Sequence, residues 1–250
     1  MCGIIGIVGT APVQDRLLES LKRLEYRGYD SAGIAGVVDG RVQRRRAKGK
    51  IAALQAVLTD SPLTATVGIG HTRWATHGAP NEVNAHPQSA GRVTLVHNGI
   101  IENFAELKRK LQTSGRVFES ETDTEVIAQL LDAELAAGCA PLVALKATLD
   151  QLTGAFAIAV LIEGQTDMIL GARRGSPLVV GYGQGEMFLG SDALAVGPFT
   201  NRIAYLDEGD YVAIDHSSAQ IFDKDGKPVE RPLKIVSASA ALVELSLIHI

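Results

Sequence analysis

The chain has 250 residues, a hydrophobic fraction of 46% and a formal net charge of −4 at pH 7. This length and composition allow a sizeable core, while the acidic balance argues against broad binding to nucleic acid. Its 2 cysteines are too few for a disulfide framework. No apolar run is long enough for a membrane-spanning helix, and the N-terminus lacks the basic start of a signal peptide. We therefore expect a cytoplasmic protein that binds neither membranes nor nucleic acid.

The first half of the chain predicts strands and helices in mixture. Strands are predicted at 3–9, 32–38, 65–71 and 92–99. Helices are predicted at 13–28, 100–115, 122–138 and 140–154, each of which ends in glycine. At the start of the third helix, Thr122 and Glu125 have the spacing of a capping box. The basic run at 41–50 follows a turn-like Asp-Gly pair and lacks aromatic residues, which predicts a solvated hairpin arm.

After Gly154 the pattern changes to short apolar runs separated by turns. These runs lie at 155–162, 168–174, 177–183, 186–192, 203–215 and 219–226. Closely spaced runs of this kind favour antiparallel pairing. Two mainly antiparallel sheets flanked by helices account for the whole pattern, so the expected fold class is α+β.

The last six residues, LSLIHI, have no capping or amphipathic pattern. They match the translation of CTG TCT CTT ATA CAC ATC, the transposon end used in sequencing libraries. We interpret residues 245–250 as a non-native tail and 241–250 as a truncated linker, so the natural protein is expected to continue beyond Glu244. An ordinary apolar terminus is the alternative interpretation.

Cys2 begins the first predicted strand, directly after the initiator methionine. A thiol attacks as the thiolate, and a free cysteine has a pKa of about 8.5, so a catalytic cysteine needs a base. Removal of Met1 would leave Cys2 with a free α-amine of pKa about 7.7–8.0, which can accept that proton. The alternative is a structural cysteine buried in a strand. Position alone favours this alternative, and only the other motifs change the balance.

Three further places carry polar groups suited to binding. Arg73 lies in a polar, loop-like segment and could clamp a carboxylate with two parallel hydrogen bonds. The Asn98 amide and the Gly99 N–H could form an oxyanion hole, although Asn-Gly pairs are also common in turns. Asp123 lies at a helix start where acids are ordinary. Because Glu125 suffices for the capping box, Asp123 could instead bind an ammonium group.

A metal site is not expected. The segment HTRWATHGAPNEVNAHP contains His71, His77 and His86. Their spacing fits no compact metal-ligand pattern, and no cysteine pair accompanies them.

Seven motifs occur in the order typical of one enzyme family: CGIIGIVG, LEYRGYDSAGIA, HTRWATHG, NAHP, HNGIIEN, SETDTEVI and GSPLVVG. Together they resemble the glutaminase domains of the class II, or N-terminal-nucleophile, glutamine amidotransferases. Within that class they are most similar to the glutamine–fructose-6-phosphate transaminases, over residues 2–240. The resemblance implies a four-layer αββα sandwich, the N-terminal nucleophile hydrolase fold. It also implies L-glutamine as the substrate and no cofactor.

The resemblance assigns the bond-breaking roles to three residues. Cys2 attacks the side-chain amide of glutamine, and its own α-amine is the base. Asn98 and the Gly99 N–H form the oxyanion hole.

The resemblance also assigns substrate recognition. Arg73, supported by Thr76 and His77, holds the α-carboxylate of glutamine. Asp123 holds the α-ammonium, and Trp74 lies on a loop that closes over the site.

In this family two sugar-isomerase domains follow and bind fructose 6-phosphate, and the complete protein is expected to be a homodimer that makes glucosamine 6-phosphate. The 250-residue chain has no room for them, so we expect the ammonia-releasing half alone. One alternative is the glutaminase domain of another class II enzyme, such as the phosphoribosyl pyrophosphate amidotransferase. A non-enzymatic amino-acid-binding domain with the same pocket is the other.

Overall fold

The computed structural model describes residues 2–74 and 78–236. Its helices are α1 (Gln14–Leu24), α2 (Ile51–Asp60), α3 (Phe104–Thr113), α4 (Asp123–Ala136), α5 (Pro141–Leu149) and α6 (Ala193–Val196). Strands of the first half are β1 (Gly3–Val8), β2 (Ser31–Val38), β3 (Arg41–Lys48), β4 (Val67–Arg73), β5 (Gln88–Ala90) and β6 (Val93–Ile101). Those of the second half are β7 (Gly154–Ile162), β8 (Ile169–Arg174), β9 (Val179–Tyr182), β10 (Met187–Gly190), β11 (Arg202–Tyr205), β12 (Tyr211–Ile214), β13 (Ala219–Phe222), β14 (Pro228–Val229) and β15 (Leu233–Ile235).

The strands form two sheets in which neighbouring strands are antiparallel. The first sheet has the order β15-β11-β9-β10-β1-β4-β2-β3, and the second has the order β14-β13-β12-β8-β7-β6-β5. In the first sheet β1 lies between β10 and β4, and every residue of β1 is buried. A central strand covered on both faces needs apolar residues without alternation, which explains the sequence GIIGIV.

Three apolar clusters join four layers. Between the sheets, residues such as Ile4 and Ile69 of the first sheet pack against Val96 and Val212 of the second. Helices α1, α2 and α6 cover the outer face of the first sheet. Helices α3, α4 and α5 cover the outer face of the second sheet. This arrangement confirms the expected α+β class and the four-layer αββα sandwich.

Helix α4 illustrates how a local signal fixes a boundary. The Thr122 hydroxyl accepts a hydrogen bond from the Glu125 N–H at 3.4 Å, as the capping box predicts. The Glu125 carboxylate reaches past the cap and accepts from the N–H groups of Glu119 and Ser120. The helix therefore begins at Asp123, and the preceding loop is held against its first turn.

Several segments differ from the sequence prediction, which did not include α6, β5, β14 or β15. Helix α2 was not predicted, although Ile51, Leu54 and Leu58 have helical spacing and are buried. The basic run forms the outer strand of the β2–β3 hairpin, but its arginines are partly buried rather than fully solvated. Arg46 donates to the carbonyls of Val83 and Ala85, both at 3.1 Å. Arg46 thereby anchors the loop that precedes β5, because that loop offers carbonyls without strand partners.

The end of β6 also differs. The sequence predicts a strand that stops at Gly99 and a helix from residue 100. In the structure β6 continues to Ile101 and α3 begins at Phe104. The Asn-Gly pair therefore lies inside a strand and not in a turn, paired with β7.

None of the helices in the described residues is both long and apolar enough to cross a membrane.

Candidate active site

The register of the first sheet places Cys2 beside the end of β4. Gly3 pairs with Thr72 and Ile4 with His71, so continuation by one residue sets Cys2 opposite Arg73. The Cys2 Sγ lies 3.2 Å from the backbone nitrogen of Trp74, which donates to it, and 3.6 Å from the Trp74 carbonyl. Burial raises the pKa of the Cys2 thiol, and the hydrogen bond from the Trp74 N–H partly opposes this effect. The thiol therefore needs a base to become a nucleophile.

Asn98 and Gly99 reach the same place from the second sheet. The Asn98 Nδ2 donates to the backbone carbonyl of Cys2 at 2.9 Å. Gly99 has a φ of 122°, and a Cβ on it would lie 2.0 Å from the Ala155 carbonyl oxygen. Only glycine fits this strained position between β6 and β7. The same conformation sets Gly99 against the wall of a cavity that Cys2 also lines.

Two buried groups of opposite charge line a cavity together with Cys2. Arg73 is 3% exposed, and its guanidinium donates to the Gly78 carbonyl at 3.2 Å and lies 3.9 Å from the Asp30 carboxylate. Asp123 is 4% exposed, and its Oδ2 accepts from the Ile101 N–H at 2.9 Å. Both side chains line one small cavity with Cys2. The predicted cation and anion are therefore brought together.

The rim of the site is aromatic and open. Trp74 is 49% exposed and meets the equally exposed Tyr29 edge to face, with 5.5 Å between ring centroids. The cavity that Arg73 and Asp123 line measures about 10 Å³. A second cavity of about 290 Å³, whose walls include Trp74, Ile100 and Pro177, lies against Cys2 and Gly99. Cys2 thus faces a tight polar cavity and a larger, more apolar one.

A cluster of buried histidines behind the site was not predicted. His71 and His86 stack with ring centroids 4.3 Å apart. The Thr124 hydroxyl lies 2.8 Å from the His86 Nε2 and 3.0 Å from the His97 Nδ1. Burial lowers the pKa of His71 to about 3 and holds that of His86 well below its usual range. Across residues 2–74 and 78–236, no three His, Cys, Asp or Glu side chains are grouped so that they could hold a metal ion.

Most of the predicted site residues meet in one place. Cys2, Arg73, Trp74, Asn98, Gly99 and Asp123 line the two adjoining cavities. Thr76 and His77 lie outside the described residues. One feature of the sequence could have indicated the histidine cluster: His71 and His97 both lie in predicted strands that are largely apolar.

The loop from residue 78 onward is hydrogen-bonded to the segment that carries Asp123. The Glu121 carboxylate accepts from the Asn84 Nδ2 at 2.9 Å and from the Ala79 N–H at 3.3 Å. Asn84 in turn accepts from the Glu121 N–H at 3.0 Å. Residues on the Arg73 side and on the Asp123 side of the cavity are therefore held together by a reciprocal polar contact.

The chain is similar to known proteins over most of its length. A family model described as "Glutamine amidotransferase domain" matches residues 32–223. The chain is 75% identical over 244 residues to the glutamine–fructose-6-phosphate aminotransferase (isomerizing) of Caulobacter vibrioides, covering 98% of this chain and 40% of that protein. It is 56% identical over 234 residues to the Brucella abortus protein of the same name, covering 94% of this chain and 39% of the relative. The chain thus spans about two fifths of the length of these curated relatives.

A solved structure shares the fold. The glutamine phosphoribosylpyrophosphate amidotransferase of B. subtilis superposes with a TM-score of 0.76 at 24% identity, over 89% of this chain and 49% of that one. The family match and the close relatives together show that the chain belongs to the class II glutamine amidotransferase domain family.

Proposed function

We propose that this chain hydrolyses the side-chain amide of L-glutamine to glutamate and ammonia through a thioester on Cys2. One observation carries the proposal: Cys2 lines one cavity with Arg73, Asp123 and Gly99 and an adjoining cavity with Asn98 and Gly99. A nucleophile, two oxyanion donors and a pair of charges for a zwitterion are the parts that amide transfer from an amino acid requires.

The reaction proceeds in two steps, formation of the thioester on Cys2 and its hydrolysis. The α-amine of Cys2, once Met1 is removed, takes the thiol proton as Sγ bonds to the side-chain carbonyl carbon of glutamine. The resulting oxyanion accepts from the second N–H of the Asn98 amide and from the Gly99 N–H. The C–N bond then breaks, and the amine returns its proton to the departing nitrogen, which leaves as ammonia. Water attacks the thioester with the same amine as base, and glutamate and the free thiol are released.

Arg73 and Asp123 explain why the substrate is an amino acid. A bidentate guanidinium matches a carboxylate, and a carboxylate matches an ammonium. Both charges are buried, so their attraction for the substrate is screened less than at the surface. The cavity that both line adjoins Cys2, and the half-exposed Trp74 lies at its rim. Thr76 and His77 are proposed to support Arg73.

Charge removal at Asp123 should weaken glutamine binding. Asp123→Asn keeps an oxygen for the Ile101 N–H but loses a charge-assisted contact worth about 1.5–3 kcal/mol, so KM for glutamine should rise about 10- to 150-fold. Arg73→Lys should also raise KM for glutamine, because an ammonium cannot form two parallel hydrogen bonds with the substrate carboxylate. Steady-state kinetics measure both effects. The matched control is Asp132→Asn, a substitution elsewhere on α4 that breaks the ion pair of Asp132 with Arg116. Unchanged KM values in both site variants would refute this placement.

The ammonia acceptor follows from the relatives rather than from this chain. We propose that in the complete protein the ammonia is transferred to fructose 6-phosphate, which the names of the 75% and 56% identical relatives print, and that the product is glucosamine 6-phosphate. The alternative hypothesis, a phosphoribosyl pyrophosphate amidotransferase, has weaker support, because the solved structure of such an enzyme is only 24% identical to this chain. The domain limits 2–240, the homodimer and the cytoplasmic location stay predictions. The tail at 245–250 lies outside the described residues.

Active-site labelling tests the proposal directly. A glutamine-analogue diazoketone should inactivate the chain by alkylating Cys2, and excess glutamine should protect against it. Peptide mass mapping should find the label on Cys2 and none on Cys139, which lies near the end of α4 beside Glu134. Glutamate release by the unlabelled chain is measured in parallel. A label on Cys139, or a properly processed chain that releases no glutamate, would overturn the proposal.

A further inference from the structure

We propose that His71 is a positioning residue for the oxyanion hole: it fixes the Asn98 amide so that its nitrogen, and not its oxygen, faces Cys2. This inference rests on the proposed function, in which Asn98 donates to the oxyanion. His71 lies on β4 of the first sheet and Asn98 on β6 of the second. The contact between them therefore crosses from one sheet to the other directly behind the nucleophile.

The hydrogen bonds themselves fix the orientation of both groups. The Cys2 backbone carbonyl can only accept, so the Asn98 atom 2.9 Å from it must be the amide nitrogen. The Asn98 Oδ1 then faces the His71 Nε2 at 3.0 Å, and the Nε2 must carry a proton. A second acceptor, the His97 carbonyl, lies 3.0 Å from the same Nε2 and requires the same proton. Two independent acceptors thus assign one tautomer to His71.

The surroundings keep this donor in a single state. The His71 ring is fully buried and stacked on His86, and its Nδ1 has no hydrogen-bond partner in the part of the chain that the structure describes. A second proton would create a buried imidazolium with an unsatisfied N–H, which agrees with the lowering of its pKa to about 3. His71 therefore acts as a permanently neutral donor and not as a proton carrier.

A fixed amide is needed because asparagine can turn its amide end for end at little steric cost. A turned amide would point its oxygen at the developing oxyanion and repel it. The bond from Asn98 to the Cys2 carbonyl opposes the turn from one side, and His71 opposes it from the other. Removal of His71 leaves the Asn98 Oδ1 buried without its side-chain donor, so both the turned and the native orientation become accessible.

Substitution at His71 separates positioning from folding. His71→Met removes the donor and should lower kcat for glutamine about 10- to 100-fold, less than the roughly 100- to 1000-fold loss caused by removal of an oxyanion donor itself, because Asn98 is still present. KM should change less than about threefold. The rate of Cys2 alkylation by iodoacetamide, which forms no oxyanion, should stay at the wild-type value. His71→Gln can return an N–H near the Nε2 position and should retain most of kcat. Unfolding temperatures of all variants show whether they are folded.

A double-mutant cycle with Asn98→Ala gives the decisive readout. If His71 acts through Asn98, then His71→Met should cause no further loss of kcat in the Asn98→Ala background. A general loosening of the site would instead multiply the two losses, and that result would overturn the inference. If the methionine variant does not fold, His71→Asn, whose amide is too short to reach Asn98 at the same point, replaces it in the cycle. If His71→Met keeps the wild-type kcat while Asn98→Ala is impaired, the positioning role of His71 is refuted and the oxyanion hole is not. An Asn98→Ala chain of full activity would refute the proposed oxyanion hole itself.

Discussion

Replacement of Cys2 by alanine should abolish glutamine hydrolysis and leave the fold intact. The substitution removes the atom that is proposed to bond to the substrate, and neither the oxyanion hole nor the binding charges can substitute for it. A loss of at least about a thousandfold in kcat is expected, in line with nucleophile removal in other covalent catalysts. Cys2 precedes β1 and is partly exposed, so little core packing is lost.

The control for this variant is the other free cysteine. Cys139→Ala should keep wild-type kcat, because Cys139 lies at the far end of α4, outside the cavities around Cys2. Cys2→Ser should lose most of the activity, since an alcohol is much harder to deprotonate with an amine of ordinary pKa. Glutamate release and thermal unfolding are measured on all three. Turnover by Cys2→Ala at the wild-type rate would mean that another group is the nucleophile.

A chain whose N-terminal amine is blocked should fold but not turn over. A retained residue before Cys2 converts the α-amine into an amide, which cannot accept a proton near neutral pH. Loss of a general base costs about a hundredfold to ten-thousandfold in rate. Cys2 depends on a base because burial raises the pKa of its thiol. The measurement is glutamate release by one preparation before and after a protease removes an N-terminal extension and leaves Cys2 first.

Steric blockage by the extension must be separated from loss of the base. Iodoacetamide at a pH above the thiol pKa should label Cys2 to the same extent in both forms, because bulk hydroxide then removes the proton. Equal labelling with unequal turnover assigns the effect to the amine. Full activity in a homogeneous, uncleaved sample would contradict the amine-as-base mechanism.

Helix boundaries and buried strands could be predicted because their causes are local. Leu17, Leu21 and Leu24 are all buried beneath the first sheet, as their helical spacing predicts. Thr122 caps α4 through a bond within one turn. The strand β1 is apolar throughout because it is covered on both faces. The change of pattern after Gly154 likewise predicts antiparallel strands, and β7–β8, β9–β10 and β12–β13 pair with their neighbours in the chain. The single run predicted at 203–215 is instead two strands, β11 and β12, which lie in different sheets.

Local patterns fail where a distant part of the chain provides the partner. The arginines of β3 look solvated in the sequence, but Arg46 finds its carbonyl acceptors in a loop near residue 84. The Asn98-Gly99 pair looks like a turn, but pairing with β7 extends the strand through it. In both places long-range hydrogen bonds to backbone outweigh the local preference, because a buried unpaired polar group would cost more.

The sequence by itself determined which residue types were available for chemistry: a cysteine behind the initiator, an arginine in a segment predicted to be a loop, an Asn-Gly pair and an acid at a helix start. The structure instead places Arg73 at the buried end of β4. Only the tertiary structure decided that residues 2, 73, 98 and 123 meet. The register of β1 on β4 brings Cys2 to Arg73, and the packing of the two sheets brings Asn98 to Cys2 and to His71. Strand register and sheet stacking depend on the summed packing of many distant side chains, and no short stretch of sequence contains that sum.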